Sequence, residues 1–373
     1  MPGMDERAGR VPAQPDPLRT VRRRLTQQRL VGAPFEQPAE AVHWLAAVQA
    51  QEYAEAKWSL GQRTRGCTDA DVEAACDRGE ILRTHVLRPT WHFVTPADVR
   101  WLLRLTGPRV LARSRSRYAE LGLDERTLAR GHAALQRALD DGEPRTRTEL
   151  ARCLRGAGVD PDGQRLPHLL MHAELDQLIC SGPRHGKSHT YTLLDRRAPA
   201  AAPRPREEAV AELVLRYFRS HGPATVDDFT AWSSLTVADT KAGLELVGEQ
   251  LTWEEDERGV RSYADPAGTD PGPTGSAAPQ LVPTFDETLV AYRGLRAVLS
   301  HDGPQARFLD RAVVIAGLTV GTWRRAFTKS GVVITARLYG PLTPAQSEAL
   351  AEVADRFGRF LGLPAELRTS VDP

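Results

Sequence analysis

Two glutamines separated by a single residue are the first side chains in this sequence that could act together on one small molecule. Gln49 and Gln51 flank Ala50 within the stretch AVQAQEY. A side-chain amide accepts hydrogen bonds through its oxygen and donates through its nitrogen, so two amides can hold a water molecule, although neither is a general base at pH 7. Helical residues two apart lie about 200° apart around the axis, so both amides can face one site only where a helix is interrupted. On spacing alone, an ordinary polar helix end is the simpler explanation.

The overall composition is that of a folded protein of two or three domains. The chain has 373 residues, of which 41% are hydrophobic and 26% are charged, and this length can bury a sizeable core. No apolar run approaches the roughly 18 residues that indicate a membrane span, and the first residues lack the apolar region of a signal peptide. These features predict a cytoplasmic protein with no membrane partner.

The cysteines and the net charge indicate neither a metal site nor a protein that coats nucleic acid. The cysteines are too widely spaced for paired metal ligands, so buried thiols are expected at Cys67, Cys76, Cys153 and Cys180, and no metal or cofactor is predicted. The net charge is only +1, but just four of the 49 basic residues are lysines. The others are arginines, which suit phosphate binding. They cluster at 19–29 and 109–117, where a solvated helix face is the alternative interpretation.

Helical and hairpin signals follow one another three times along the chain. The first set has helices over 38–48, 52–60 and 68–76, the last opened by a cap of Thr68 with Asp71. A hairpin of ILRTHVL and TWHFV, which turns at Arg88-Pro89, follows. In the second set, a helix near 124–140, a cap before LARCL and the helix LPHLLMHAELDQ precede LICSGPRHGKSHTYTLL. The third set runs from EEAVAELVLRYFRSHG through two capped helices to LTWEEDERGVRSYA. Three helices followed by a hairpin are the plan of a winged-helix domain.

We therefore expect a mostly helical α+β fold of three tandem winged-helix units and a small C-terminal β domain. The expected segments are a disordered tail at 1–17, winged-helix units at 18–118, 119–197 and 206–265, a linker at 266–280, and a β domain with a closing helix at 281–373. The tail and linker are too rich in Pro and Gly to pack. LVPTFDETLVAYRG, RAVVIAGLTVGTWRRAF and VVITARLYG indicate strands, and a cap at Thr343 precedes the final helix.

Four motifs together resemble the AlkZ-like winged-helix DNA glycosylases. They are VQAQEYAEAKWSLGQR, LRTHVLRPTWHFVTPADVRWLL, LVPTFDETLVAYRGLR and VGTWRR, and the resemblance covers about residues 18 to 362. It implies a C-shaped bacterial enzyme that excises alkylated bases and unhooks interstrand DNA crosslinks, linked to self-resistance against antibiotics such as azinomycin. It also implies a catalytic Gln-x-Gln motif, which Gln49 and Gln51 match. The second Gln, where a sister group has Asp, implies the crosslink branch, although Ala50 is smaller than the family's usual aliphatic residue.

Two amides are chemically sufficient if the base that leaves is already cationic. Cleavage of an N-glycosidic bond passes through an oxocarbenium-like sugar, and most such enzymes use a carboxylate to orient water and stabilise this charge. N7- and N3-alkylated purines need no protonation before departure, so we expect a monofunctional glycosylase for these cationic lesions. Glu52 is the one carboxylate near the motif in sequence, either a helix-start residue or an alternative base. Lys57 is the one nearby lysine, so lyase activity is not expected.

Three residues of the first hairpin are expected near the lesion because the resemblance includes the TWH segment. Trp91 and His92, with Arg88 before them, are assigned to lesion or DNA binding. The alternative is an aromatic ring packed on the sheet beside a hydrogen-bonded imidazole. The resemblance also includes Asp286, Tyr292 and Arg296, for which a structural ion pair is the preferred explanation and a place in the pocket the alternative.

The tip of the second hairpin is basic. Arg184, His185 and Lys187 stand where a wing usually meets phosphate or the minor groove. A tip that is basic for solubility alone is the equal alternative.

The expected partner is double-stranded DNA carrying alkylated or crosslinked purines, bound by a monomer at the nucleoid. The competing hypothesis is a non-enzymatic winged-helix regulator or a drug-binding resistance protein. A regulator normally dimerises and presents a basic recognition helix. Here the third helices, such as TDADVEAAC and TVADTKAGLELV, are acidic or nearly neutral, which favours the enzyme.

Overall fold

The computed structural model describes residues 17–268, 272, 278–293, 299–300 and 311–371, and within these ranges it has the expected mixture of helices and small sheets. The helices are α1 Pro17–Gln27, α2 Pro38–Leu45, α3 Tyr53–Arg63, α4 Asp69–Arg78, α5 Pro96–Arg113, α6 Arg115–Glu120, α7 Glu125–Leu139, α8 Arg147–Gly156, α9 Arg165–Leu175, α10 Leu194–Arg197, α11 Arg206–His221, α12 Val226–Ser233, α13 Val237–Val247, α14 Glu287–Val290 and α15 Pro344–Leu361. The strands are β1 Val48–Gln49, β2 Leu82–Val86, β3 Arg88–Val94, β4 Arg145–Thr146, β5 Ile179–Ser181, β6 Thr190–Leu193, β7 Ala224–Thr225, β8 Thr252–Glu255, β9 Arg261–Ala264, β10 Gln280–Val282, β11 Leu299–Ser300, β12 Ala312–Ile315, β13 Leu318–Phe327, β14 Val332–Leu338 and β15 Ala365–Val371.

One order of elements occurs three times: a helix, a two-residue strand, two helices and a hairpin. It runs from α2 to β3, from α7 to β6 and from α11 to β9. In each set the short strand pairs with the second strand of the hairpin, which gives the strand orders β1-β3-β2, β4-β6-β5 and β7-β9-β8. The short strands were not predicted, because two residues of ladder leave no alternating pattern in a sequence.

Threonine side chains fix where many of the helices begin. Thr68, Thr146 and Thr343 each accept a hydrogen bond from the main-chain N–H three residues later, which confirms the predicted capping boxes. Thr225 and Thr236 cap α12 and α13 in the same way. Each such cap satisfies a donor that the helix itself leaves unpaired.

Two predicted boundaries near the glutamine pair were wrong. The helix expected over 38–48 ends at Leu45, and Ala46 takes a left-handed backbone with φ of 65° before β1 begins. The hairpin turns at Leu87, with φ of 62°, and not at Arg88-Pro89, which start β3. Such backbones cost a non-glycine residue free energy and are hard to anticipate from sequence. Both shifts place more of the chain in extended conformation around the motif.

The C-terminal segment forms one sheet with strand order β10-β12-β13-β14-β15, and β11 lies beside β13. The segment LVPTFDETLVAYRG was expected to form a strand. Its first residues are β10, but Asp286 accepts a hydrogen bond from the Thr288 N–H and starts the short helix α14. Strand β15, parallel to β14, was not predicted.

This sheet and the first helices share one hydrophobic core. Trp58 of α3 packs edge-on against Phe357 of α15 at 4.9 Å between ring centroids, and Trp323 of β13 packs on the same ring at 5.4 Å. The Trp58 indole donates to the Leu281 carbonyl at 2.8 Å. All three aromatic side chains are at most 1% exposed. The C-terminal sheet therefore completes the core on which the glutamine-bearing segment rests.

The N-terminal arginine cluster is not a solvated helix face. Arg22 and Arg23 of α1 are 7% and 6% exposed, and Arg23 forms an ion pair with Glu254 of β8 at 3.0 Å. Arg24 donates to the Pro223 carbonyl at 2.7 Å. These contacts tie α1 to the third set, whose hairpin is acidic.

The described part of the chain contains no membrane-spanning helix, no candidate metal site and no disulfide. No helix in the described ranges is long and apolar enough to cross a membrane. No group of three or more His, Cys, Asp or Glu side chains there could hold a metal ion. All four cysteines are free; Cys180 is fully buried, as predicted, whereas Cys67, Cys76 and Cys153 are partly buried.

Candidate active site

The two glutamines lie on a non-helical segment between α2 and α3. Gln49 pairs with His92 across the first sheet, and the Ala50 N–H donates to the Trp91 carbonyl at 2.7 Å, so the ladder continues past β1. Gln51 follows at a bend before α3, and Ala50 between the two glutamines is fully buried. Both glutamine side chains contact residues of β3: Gln49 contacts Arg88, and Gln51 contacts the Trp91 N–H. The interruption that the amide pair requires is present.

Gln49 is held through both its main chain and its side chain. Its main-chain N–H donates to Glu287 Oε1 at 2.9 Å, and its side-chain oxygen accepts from Arg88 Nη2 at 3.0 Å. A guanidinium only donates hydrogen bonds, so the amide oxygen of Gln49 must face Arg88. Its NH2 group consequently points away from Arg88, and it has no protein partner in the described ranges.

His92 is a neutral side chain in a single tautomer. Its Nε2 lies 3.2 Å from Arg88 Nη2, and its Nδ1 lies 2.9 Å from the Thr90 carbonyl. Because Arg88 can only donate, Nε2 accepts, and the proton is on Nδ1, which donates to Thr90. Burial, reinforced by the Arg88 charge, holds the pKa of His92 well below its usual range. His92 therefore helps to orient Arg88 and is not positioned as a proton donor to DNA.

Gln51 is more open to solvent than Gln49. Its side-chain oxygen accepts from the Trp91 N–H at a long 3.4 Å, and one lone pair remains available. The Trp91 ring contacts the Arg83 guanidinium, 4.4 Å from its centroid, and the His85 ring, also at 4.4 Å. His85 is hydrogen-bonded to buried Glu174 of α9. Helix α9 of the second set therefore contacts His85, His85 contacts Trp91, and Trp91 contacts Gln51. Nothing in the sequence singled out Arg83 or His85.

The carboxylate that contacts the motif is Glu287, which sequence reasoning missed. Its side chain is fully buried, with Oε2 accepting from the Trp232 indole at 2.9 Å and lying 3.5 Å from His221 Nε2. Glu52, the neighbour in sequence, is exposed. Glu287 lies in the motif FDETL, which is part of the family resemblance, but only its neighbour Asp286 was named as a candidate residue.

Asp286 and Tyr292 occupy structural positions beside this network. Asp286 accepts two hydrogen bonds from Arg63, at 2.8 and 2.9 Å, and both side chains are fully buried. The Tyr292 hydroxyl donates to the His221 carbonyl at 2.7 Å and accepts from Gln28 at 3.0 Å. Arg296 lies outside the described residues.

At the tip of the second hairpin, Arg184 packs against the first set, whereas His185 and Lys187 are exposed to solvent. The Arg184 main-chain N–H donates to Asp77 at 2.9 Å, and its guanidinium lies 3.5 Å from Glu73 and 5.3 Å from the centre of the Tyr53 ring. Arg184 therefore fastens the hairpin to α3 and α4. His185 and Lys187 are exposed. The structure separates three residues that were predicted to act together.

His189, at the base of this tip, should make stability depend on pH. Burial, reinforced by the charges of Arg83 and Arg184, lowers its pKa to about 4, against about 6.5 for an unfolded chain. Between these values only the unfolded state binds the proton, so stability falls as the pH drops from about 6.5 towards 4. We expect His189→Gln to reduce this loss, measured as the difference in urea midpoint between pH 7 and pH 5. An identical pH dependence in both proteins would contradict the assignment.

Comparisons with known proteins define the class of protein. The family described as DNA glycosylase AlkZ-like matches residues 42–360, most of the chain. The chain belongs to the AlkZ-like DNA glycosylase family, which confirms the resemblance inferred from the motifs and assigns the protein to DNA-binding repair glycosylases.

A solved structure has the same fold. DNA glycosylase AlkZ from Streptomyces sahachiroi superimposes with a TM-score of 0.73 at 20% sequence identity, covering 96% of this chain and 100% of that chain. No curated protein matches the chain.

Proposed function

We propose that the protein hydrolyses the N-glycosidic bond of cationic N7- or N3-alkylated purines in double-stranded DNA, including purines held in interstrand crosslinks. The observation that carries the proposal is the placement of Gln49 and Gln51 on a non-helical segment, with both side chains against β3, in a chain of a DNA glycosylase family. Two amides without an ionisable base suit a leaving group that already carries a positive charge.

The geometry suggests different roles for the two amides. Gln49 presents its NH2 group, because Arg88 occupies its oxygen, whereas Gln51 retains a free lone pair on its oxygen. A water molecule between them would accept from Gln49 and donate to Gln51. Its oxygen attacks the anomeric carbon as the bond to the base breaks, and the bonding electrons neutralise the cationic purine. The water proton passes to solvent. The Gln51 oxygen also faces the positive charge that develops on the sugar.

The repeated order of helices and hairpins supports a winged-helix plan for each of the three sets, with the predicted boundaries 18–118, 119–197 and 206–265. In this proposal a monomer holds the duplex in a C-shaped cleft, and the exposed tip of the second wing approaches phosphate. The motif itself carries no enclosing aromatic clamp, so bulky adducts and crosslinks are accepted as well as methylated bases.

Release of defined lesions tests this function. Purified protein is incubated with duplexes that carry N7-methylguanine, a bulky N7 adduct or an N7-linked crosslink, and the products are heated in alkali to break the chain at abasic sites. Breaks at the lesion, absent without alkali, are expected for all three substrates. Activity on methylated bases alone would contradict the open cleft, and no release from any substrate would contradict the glycosylase.

The second wing offers a test of phosphate contact. Lys187→Ala should weaken DNA binding for all sequences and lower the log–log salt slope by about one, as loss of one phosphate contact does. Arg184→Ala is the matched comparison. Since Arg184 is already paired with Glu73, its loss should leave the slope near the wild-type value. Fluorescence anisotropy across a salt series measures both, and an unchanged slope in Lys187→Ala would remove the second wing from the DNA interface.

A further inference from the structure

We infer that Glu287 is a positioning residue for Gln49, an inference that rests on the proposed function. Glu287 lies 238 residues from Gln49 in sequence, yet its Oε1 accepts the Gln49 main-chain N–H at 2.9 Å. Its other oxygen accepts the Trp232 indole N–H at 2.9 Å. Both oxygens of this fully buried side chain are therefore acceptors for groups that can only donate. A carboxylate satisfies both contacts, whereas an amide of the same shape satisfies only one.

These contacts are part of a closed ring of hydrogen bonds. Arg88 donates to the Gln49 side-chain oxygen at 3.0 Å and to the Trp232 carbonyl at 2.8 Å. Trp232 is thus bound at its carbonyl by Arg88 and at its indole by Glu287, and Gln49 is bound at its side chain by Arg88 and at its main chain by Glu287. The ring joins β1, β3, α12 and α14, so three separate parts of the chain fix one amide.

The ring fixes both the position of the Gln49 main chain and the orientation of its side-chain amide. The Glu287 contact fixes the main chain at the foot of the side chain, and the Arg88 contact fixes the rotation of the amide at its end. A displacement of about 1 Å in a reacting group can lower a rate by about 10²-fold even when the substrate still binds. Loss of the Glu287 acceptor should therefore reduce the catalytic step and leave DNA affinity nearly intact.

Glu287→Gln tests this inference with an isosteric change. Single-turnover excision of N7-methylguanine at saturating enzyme is expected to fall about 10- to 10²-fold, while the Kd for the same duplex changes less than about twofold. Trp232→Phe removes the indole donor and part of the ring but leaves the Glu287 contact with Gln49 in place, so its rate loss should be smaller. The double variant should lose less than the product of the two single losses, because both changes break one ring. Trp232→Phe also keeps the inference testable if Glu287→Gln does not fold.

Asp98→Asn is the matched control for a general loss of stability that does not act through Gln49. Asp98 is a buried carboxylate that accepts from Thr95, Trp101 and Arg216, none of which contacts either glutamine. It should lose thermal stability as Glu287→Gln does, yet excise at the wild-type rate at a temperature where all variants are folded. Equal rate losses in Asp98→Asn and Glu287→Gln, or a wild-type rate in Glu287→Gln, would overturn the positioning role. Failure of the wild-type protein to excise any lesion would overturn the proposed function instead.

Discussion

Gln51→Ala and Gln49→Ala should each lower single-turnover excision of N7-alkylated guanine by about 10²-fold or more, the effect typical of removing one group that orients water or stabilises charge. Neither residue is charged, so DNA affinity should change little. The measurement is the excision rate at saturating enzyme, with the Kd from fluorescence anisotropy. Gln250→Ala, on an exposed turn before β8, is the matched control and should excise normally.

Gln51→Glu discriminates between water positioning and simple packing. A carboxylate at this position can act as a base, so partial activity should remain and should rise with pH as the new side chain ionises. Wild-type rates in both alanine variants, with the fold intact, would mean that the pair is only a polar end of a structural segment.

Asp286→Asn should cost about 3–5 kcal/mol of unfolding free energy, because it leaves the Arg63 guanidinium buried without its counter-charge. Burial alone would raise the pKa of Asp286, but the Arg63 charge and the hydrogen bonds from Arg63 and Ser59 outweigh it and hold the pKa below its usual value. Urea unfolding at pH 7 measures the loss.

Two comparisons show whether the buried pair itself is responsible. Glu366→Gln breaks an exposed pair with Arg368 on β15 and should leave the urea midpoint unchanged. Replacement of both buried partners, Arg63→Met with Asp286→Leu, should recover part of the stability, since no unpaired charge remains. A single Asp286→Asn variant as stable as the wild type would show that Arg63 finds another partner.

Local signals in the sequence predicted much of the secondary structure. The capped helices that follow Thr68, Thr146, Thr225 and Thr236 were anticipated because a cap and a hydrophobic stripe are encoded within a few residues. The end of α2 at Leu45 was not, because it depends on the left-handed backbone of Ala46 and on pairing of β1 with a strand some forty residues away. β15 was missed although Ala365 and Leu367, which pack against the core, alternate with the exposed Glu366 and Arg368 as in a strand.

The candidate site was predictable only where one segment carried it. Gln49 and Gln51 lie in a single motif, and the resemblance to a family pointed to them. Glu287 and Trp232 reach Gln49 only through the fold, and no spacing in the sequence relates them. Arg184 shows the reverse case: a basic tip suggested a free cation, but the packing of the hairpin on α4 supplied Glu73 and Asp77 as partners.

Because α3 and the C-terminal sheet share one core, the N-terminal part of the protein cannot be expected to fold correctly without the C-terminal part. A fragment that ended at residue 268 would keep both glutamines but would leave Trp58 without Phe357 and Gln49 without Glu287. The segment that carries Gln49 and Gln51 therefore could not be transferred alone to another DNA-binding protein and keep its conformation. Recombination between relatives would have to exchange both ends of the chain together to yield a working hybrid.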